Sequence, residues 1–286
     1  MQLKTVWRLL KNTASEWQED KVSLWSAAIA FYTIFSLAPL LIIAIAIAGT
    51  VFDQEVAQSQ IIEQIQGLIG KQGAQAVQAM IQNAQQPGAG GVLATVFGVT
   101  TLLLGASGVF GQLQEALNTI WDVQPRSGIN IQSFLQKRLL SFAMVLTIGF
   151  LLMVSLVVST ALAAIANYFG HFFPQWIQFG QILNFIFSFV GTTLLFALMY
   201  KVLPDIKIAW SNLWIGATTA ALLFTVGKFL IGLYLGNTSI GSSYGTASSL
   251  VIVLIWVFFS AQILLLGAEF TQVYARRHEP AMDRPQ

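Results

Sequence analysis

The sequence predicts an all-α polytopic membrane protein: a bundle of six transmembrane helices with an N-terminal interfacial helix and an external helical hairpin. Three observations carry this. Of 286 residues, 56% are hydrophobic and only 9% charged, whereas a soluble domain carries about 25% charged residues. Six stretches are long and apolar enough to cross about 30 Å of hydrocarbon at about 1.5 Å per residue. The basic residues gather in alternate loops. These runs are apolar on both parities, which the alternating strands of a transmembrane β-barrel would not be.

The first element is amphipathic. Leu3, Trp7, Leu10, Ala14 and Trp17 recur at steps of three and four, with Lys4, Arg8 and Lys11 on other faces. Residues 1–24 therefore read as a cytoplasmic amphipathic helix that either lies in the headgroup plane or packs on the end of the bundle. A transmembrane domain follows over 25–270, and residues 271–286 form a cytoplasmic tail.

The spans run roughly Ala27–Ala48, Val92–Phe110, Leu139–Ala166, Ile182–Tyr200, Ile208–Leu235 and Ala247–Ala268. The first is too long for a signal h-region and is followed by no small-residue cleavage site, so it is expected to stay in the protein. Pro39 interrupts it, which predicts a kink and frees backbone groups for a neighbour or Ser36 to satisfy. After this span, Ile61, Ile62, Ile65, Leu68 and Ile69 form one apolar stripe, and Ala76, Val77, Met80 and Ile81 form another beyond Gly73. Two short helices joined at a glycine turn fit this pattern. The resulting hairpin over 53–90 would cap the outer mouth or pack its stripe on the bundle. The uncharged loop from Gly236 to Gly245 reads as an external turn or a re-entrant segment.

Orientation follows from Lys and Arg. Twelve lie in the N-terminal segment, the second and fourth loops and the tail, against Lys71 alone in the opposite loops, with Lys228 inside a span. That asymmetry puts both termini in the cytoplasm of a bacterial inner-membrane protein.

Several function classes drop out. With no cysteine and only His171 and His278, thiolate chemistry and multi-histidine zinc sites are excluded. No serine elbow, P-loop or zinc-protease motif is present. A net charge of +2 without a basic cluster gives no reason to expect nucleic acid. The expectation is a protein that is not an enzyme, has no cofactor and no metal, and has membrane lipids as partners. Its oligomeric state is left open.

Ionisable groups in spans are functional candidates by default. Lys228 falls near the external end of the fifth span, where it either snorkels to the headgroups or attracts an anionic headgroup. Glu269 falls near the cytoplasmic end of the sixth, too far from Lys228 for an ion pair. Glu115, with Gln112, and Arg138, with Lys201, fall at the level of Glu269. They form either a ring of rim salt bridges or a polar vestibule that receives substrate. The candidate substrate pathway is Glu115, Asn118, Arg138, Lys228, Gln262 and Glu269, with the helix kink at Pro39.

Three segments then resemble a known family. Ala27 to Pro39, Gly105 to Trp121 and Tyr244 to Phe270 look like the YihY/BrkB membrane proteins. The most specific matches are Tyr244-Gly245-Thr246-Ala247-Ser248-Ser249, Trp256, Ser260, Gln262 and Gly267-Ala268-Glu269-Phe270, and Val202-Leu203-Pro204 also fits. The resemblance covers nearly the whole chain. It implies a six-span protein of the bacterial inner membrane. Some members carry an older ribonuclease BN label, and others are described as virulence or serum-resistance factors or lipid-related transporters. No settled catalytic motif comes with it.

Together these point to a transporter or flippase-like handler of an amphipathic, lipid-like substrate. The alternative is a non-transporting membrane scaffold. Ribonuclease activity ranks third, because no converging carboxylates are visible for a two-metal site.

Overall fold

The computed structural model describes residues 3–49, 53–85, 108–123, 175–206, 208–237 and 248–278, and every regular element among them is helical. α1 covers Leu3–Glu19, α2 Val22–Ala48 and α3 Gln54–Gln85; α4 covers 108–120; α5 covers Gln175–Val202, α6 Trp210–Asn237 and α7 Ser248–His278. Among the described residues, three apolar helical stretches are long enough to cross a membrane: Ile182–Val202, Trp210–Tyr234 and Leu250–Arg277. Val22–Leu37 is a shorter apolar one. Most of the expected span from Val92, the whole of that from Leu139, and most of the Gly236–Gly245 loop lie outside the described residues.

Helices α5 and α6 are apolar nearly all round, and α7 is so apart from one polar stripe, as elements packed inside and wetted by lipid outside are. Phe185, Phe229 and Leu230 turn outward and are more than half exposed. The larger buried cluster among the described residues lies around Leu117, Tyr200, Leu213 and Leu265, and a smaller one around Ile45, Ile81 and Val253.

α7 is the centre of the arrangement, packing against α1, α2, α3 and α6. Its register with α6 is antiparallel. A Cβ on Gly216 would meet Thr271, one on Gly267 would meet Ala220, and one on Gly227 would meet Ile263. Small residues let two backbones approach where lipid gives no hydrophobic drive for association. Tyr200 of α5 closes the seam from the third side, its hydroxyl donating to the Leu264 carbonyl at 2.6 Å.

α1 has three sides. Leu9 and Thr13 are buried against the bundle, Trp7 and Leu10 are exposed, and Arg8 and Lys11 are exposed on a third arc. The helix therefore packs on the bundle end while keeping an aromatic face free, which combines the two alternatives its sequence left open.

Helix α2 continues through Pro39, as a kinked helix also does. Ser36 donates to the Thr33 carbonyl at 3.1 Å, and the Phe35 carbonyl is the one that the missing proline N–H would have bonded. One local expectation changes. α3 is one helix without a non-helical turn at Gly73, because a glycine costs only about 1 kcal/mol in a helix otherwise rich in good formers. Gln78 borders the same cleft as Glu55, Ser59, Glu63 and Gln66. Ile61, Ile62 and Ile65 pack with Ala76, Val77 and Ile81 against α2 and α7; the apolar stripe is spent on packing.

Candidate functional site

Gln262, Glu269, Gln272 and Arg276 share one face of α7, within an arc of about 80° at 3.6 residues per turn. The stripe extends about 21 Å along the helix at 1.5 Å per residue. Gln262 Nε2 reaches Ser23 Oγ at 3.4 Å, tying α7 to the start of α2. Glu269 is fully buried. No N–H or hydroxyl donor among the described residues bonds either of its carboxylate oxygens. Its neighbour is a second carboxyl, Asp20.

Asp20 sits in the turn between α1 and α2. Its N–H bonds the Glu16 carbonyl at 2.8 Å, and the Lys21 carbonyl accepts the first bond of α2, from Leu24 at 2.8 Å. Lys21 makes this turn with a φ of 52°, a left-handed conformation that costs a residue with a Cβ about 1–2 kcal/mol.

A second left-handed residue ends α4. Asp122 has a φ of 52°; its N–H bonds the Thr119 carbonyl at 3.0 Å and the Val123 N–H bonds the Asn118 carbonyl at 2.9 Å. This is a Schellman closure with aspartate in the position glycine usually takes. It aims the Asp122 carboxylate at Arg276 Nη2, while Arg276 Nη1 lies 3.3 Å from Glu16 Oε1. Both strained turns thus present carboxylates to the same end of α7.

Four carboxyls, Glu16, Asp20, Asp122 and Glu269, face one guanidinium. Burial pushes the Asp20 carboxyl above its ordinary range, Asp122 and Glu16 push it further, and the hydrogen bond with Glu269 and the Arg276 charge oppose them. Surface pairs such as those of Arg276 contribute only about 0.2–1 kcal/mol each. The junction is held by packing more than by charge.

A separate polar node lies beside it. Asn118 donates to Asp205 Oδ2 at 3.0 Å and accepts from the Asp205 N–H at 2.8 Å, and Gln114 donates to Asp205 Oδ1 at 3.2 Å. Lys201 donates to the Ile208 carbonyl at 2.5 Å and stands 5.5 Å over the Trp210 ring. Both contacts brace the α5–α6 connection.

The predicted pathway residues fall in different settings. Glu269 and Gln262 share the α7 stripe, and Asn118 belongs to the Asp205 node. Glu115 is exposed, and Arg138 lies outside the described residues. Lys228 is half-buried on α6. With Gly216 against Thr271 and Ala220 against Gly267, Glu269 is level with about residue 218, which leaves about 15 Å of helix to Lys228. That separation forbids a direct ion pair. Among the described residues, Arg276 makes ion pairs at this rim, with Glu16 and Asp122. The cleft of about 410 Å³ along α3 is lined by none of the predicted residues.

Asp20, Glu16, Asp122 and Arg276 were missed. The seven-residue spacing of Gln262, Glu269 and Arg276 is the signal that would have found the stripe.

Residues 13–286 match the family described as Virulence factor BrkB. A UPF0761 membrane protein of Mannheimia succiniciproducens is 26% identical over 90% of this chain and 85% of its own length. One from Aeromonas salmonicida is 23% identical over 94% and 89%. One from Alkalilimnicola ehrlichii is 29% identical over 92% of this chain, which spans only 57% of that relative. No solved structure matches the chain.

Proposed function

This chain belongs to the Virulence factor BrkB family of membrane proteins, and from that premise we propose that it moves or accommodates an amphipathic, lipid-like substrate across or within the bacterial inner membrane. The observation that carries the reading is the α7 stripe. A polar track about 21 Å long runs from Gln262, level with the start of α2, to Arg276 at the exposed rim, along a helix whose span is otherwise mainly apolar. Such a track suits a polar headgroup, while the exposed faces with Phe185 and Phe229 suit acyl chains beside it. Ion conduction would ask for more charge along the path. On this reading the chain is not an enzyme and binds neither cofactor nor nucleic acid, and membrane lipids are its partners.

The same proposal includes six spans with both termini cytoplasmic. Helix directions support the count. α7 runs antiparallel to α6 and, through Ser23–Gln262 and Asp20–Glu269, antiparallel to α2. Gly108 at the start of α4 lies against Tyr32 and Asp122 at its end lies against Arg276, so α4 is antiparallel to α2. The ring contact of Phe196 with Phe224 and the Tyr200 contact make α5 antiparallel to α6. Helices α4 and α5 therefore point the same way, which requires an odd number of crossings between them. The apolar stretch Leu139–Ala166 supplies one.

The test is reconstitution in vesicles with labelled lipids. Exchange between leaflets above that of empty vesicles is expected, and exchange equal to it removes the reading. For orientation, reporters at Lys71 and in the Arg276 tail should fall in opposite compartments.

A further inference from the structure

We propose that Asp20 and Glu269 together form a binding site for one proton and, resting on the lipid-handling reading, that uptake and release of this proton close and open the polar end of the α7 stripe. The geometry begins with Glu269. Its carboxyl is fully buried with both oxygens lacking a donor, a state that an isolated carboxylate cannot hold without a compensating partner. The partner present is another carboxyl, and two ionised carboxyls offer only acceptors to one another. A single proton between them converts that face-off into a charge-assisted O–H···O⁻ bond, and the pair then titrates as a unit.

The surroundings favour a proton over other cations. Among the described residues, no three Asp, Glu or His side chains converge in a set able to hold a metal ion. The charges facing the pair are Glu16 from α1, Asp122 from the end of α4 and Arg276 from α7. The guanidinium is already turned to Glu16 and Asp122, so it offsets charge without bonding Glu269. Burial of Asp20 adds to the demand for the proton.

The site lies at a joint. Asp20 belongs to the left-handed turn that connects α1 to α2, and Glu269 to α7. Loss of the proton leaves two carboxylates pressed together across that joint, opposed by its packing and by the exposed pairs of Arg276. Repulsion then separates the turn from α7 and admits water to Glu269 and Gln272. Proton uptake restores the closed state, in which both are buried.

Infrared spectroscopy of the purified protein in phosphatidylcholine vesicles tests the site directly. Wild type is expected to show one carboxylic-acid C=O band that disappears as pH rises from mildly acidic to alkaline. Glu269→Gln should lose the band, and Asp20→Asn, at a half-buried turn position, should shift its midpoint. If wild type lacks the band, or both variants keep it with an unchanged midpoint, the proton site is overturned. Lipid exchange measured on the same vesicles should vary with pH in wild type and lose that dependence in Glu269→Gln. A titrating band with pH-independent exchange overturns the coupling. No exchange at any pH overturns the lipid-handling reading, and the band still decides the proton site.

Discussion

Replacing Gly267 with alanine tests whether the α5–α6–α7 seam is set by backbone approach. The added Cβ would stand 2.5 Å from the Ala220 Cβ, 2.5 Å from the Tyr200 hydroxyl and 3.2 Å from the Ala220 Cα. Since Ala220 contributes backbone to that contact, no side-chain rotation relieves it, and the seam must open by about 1 Å to restore ordinary carbon contacts near 3.5 Å. Overpacking of this kind costs about 1–3 kcal/mol. Displacing Tyr200 also breaks its 2.6 Å bond to the Leu264 carbonyl and leaves a buried phenol without an acceptor, about 1–3 kcal/mol more. A total of about 2–6 kcal/mol should appear as a lower midpoint of thermal unfolding in detergent. Gly232→Ala is the control, since nothing lies within 4 Å of its added Cβ; it should be neutral or gain up to about 1 kcal/mol from helix propensity. Equal midpoints for the two variants would refute the seam.

Two further outcomes follow from the polar end. The Asp20 carboxyl is raised above its ordinary value of 3.8, so the folded chain holds that proton more tightly than the unfolded one. Its contribution is full below about pH 3.8 and is lost as pH rises through the raised value; Asp20→Asn should therefore flatten the fall of unfolding midpoint with pH, and an unchanged slope would count against the burial argument. Asn118→Ala removes two bonds to Asp205 and should cost about 1–2 kcal/mol, with faster hydrogen exchange at the Asp205 amide. Unaltered exchange there would show that Asn118 does not hold the node.

Hydropathy made α2, α5, α6 and α7 legible, because the length and apolarity demanded by a bilayer are local properties of sequence. The same holds for α1, where the spacing of Trp7 and Leu10 marked a face that stays exposed. The continuity of α3 was not legible at Gly73, since one glycine's helix penalty is too small to decide between a turn and a continuous helix. The candidate site was half legible. Glu269 stood out as an ionisable group in an apolar run, but Asp20 lies just outside such a run and looked like ordinary loop. Nothing local announces that two carboxyls so far apart in sequence meet. That meeting is a tertiary fact, produced by the antiparallel pairing of α2 with α7 and by two left-handed turns carrying Lys21 and Asp122.

The central position of α7 carries a consequence for biogenesis. The helix against which α1, α2, α3 and α6 all pack is the last of the described helices to leave the ribosome. Chains assemble in order of synthesis, and helices inserted individually associate afterwards in the bilayer. The earlier segments therefore wait in the lipid with the Tyr200 hydroxyl, Ser23 and Asp20 lacking their α7 partners. Nascent chains stalled before Ser248 should remain targets for membrane proteolysis, and translation of the final helix is the step that completes assembly.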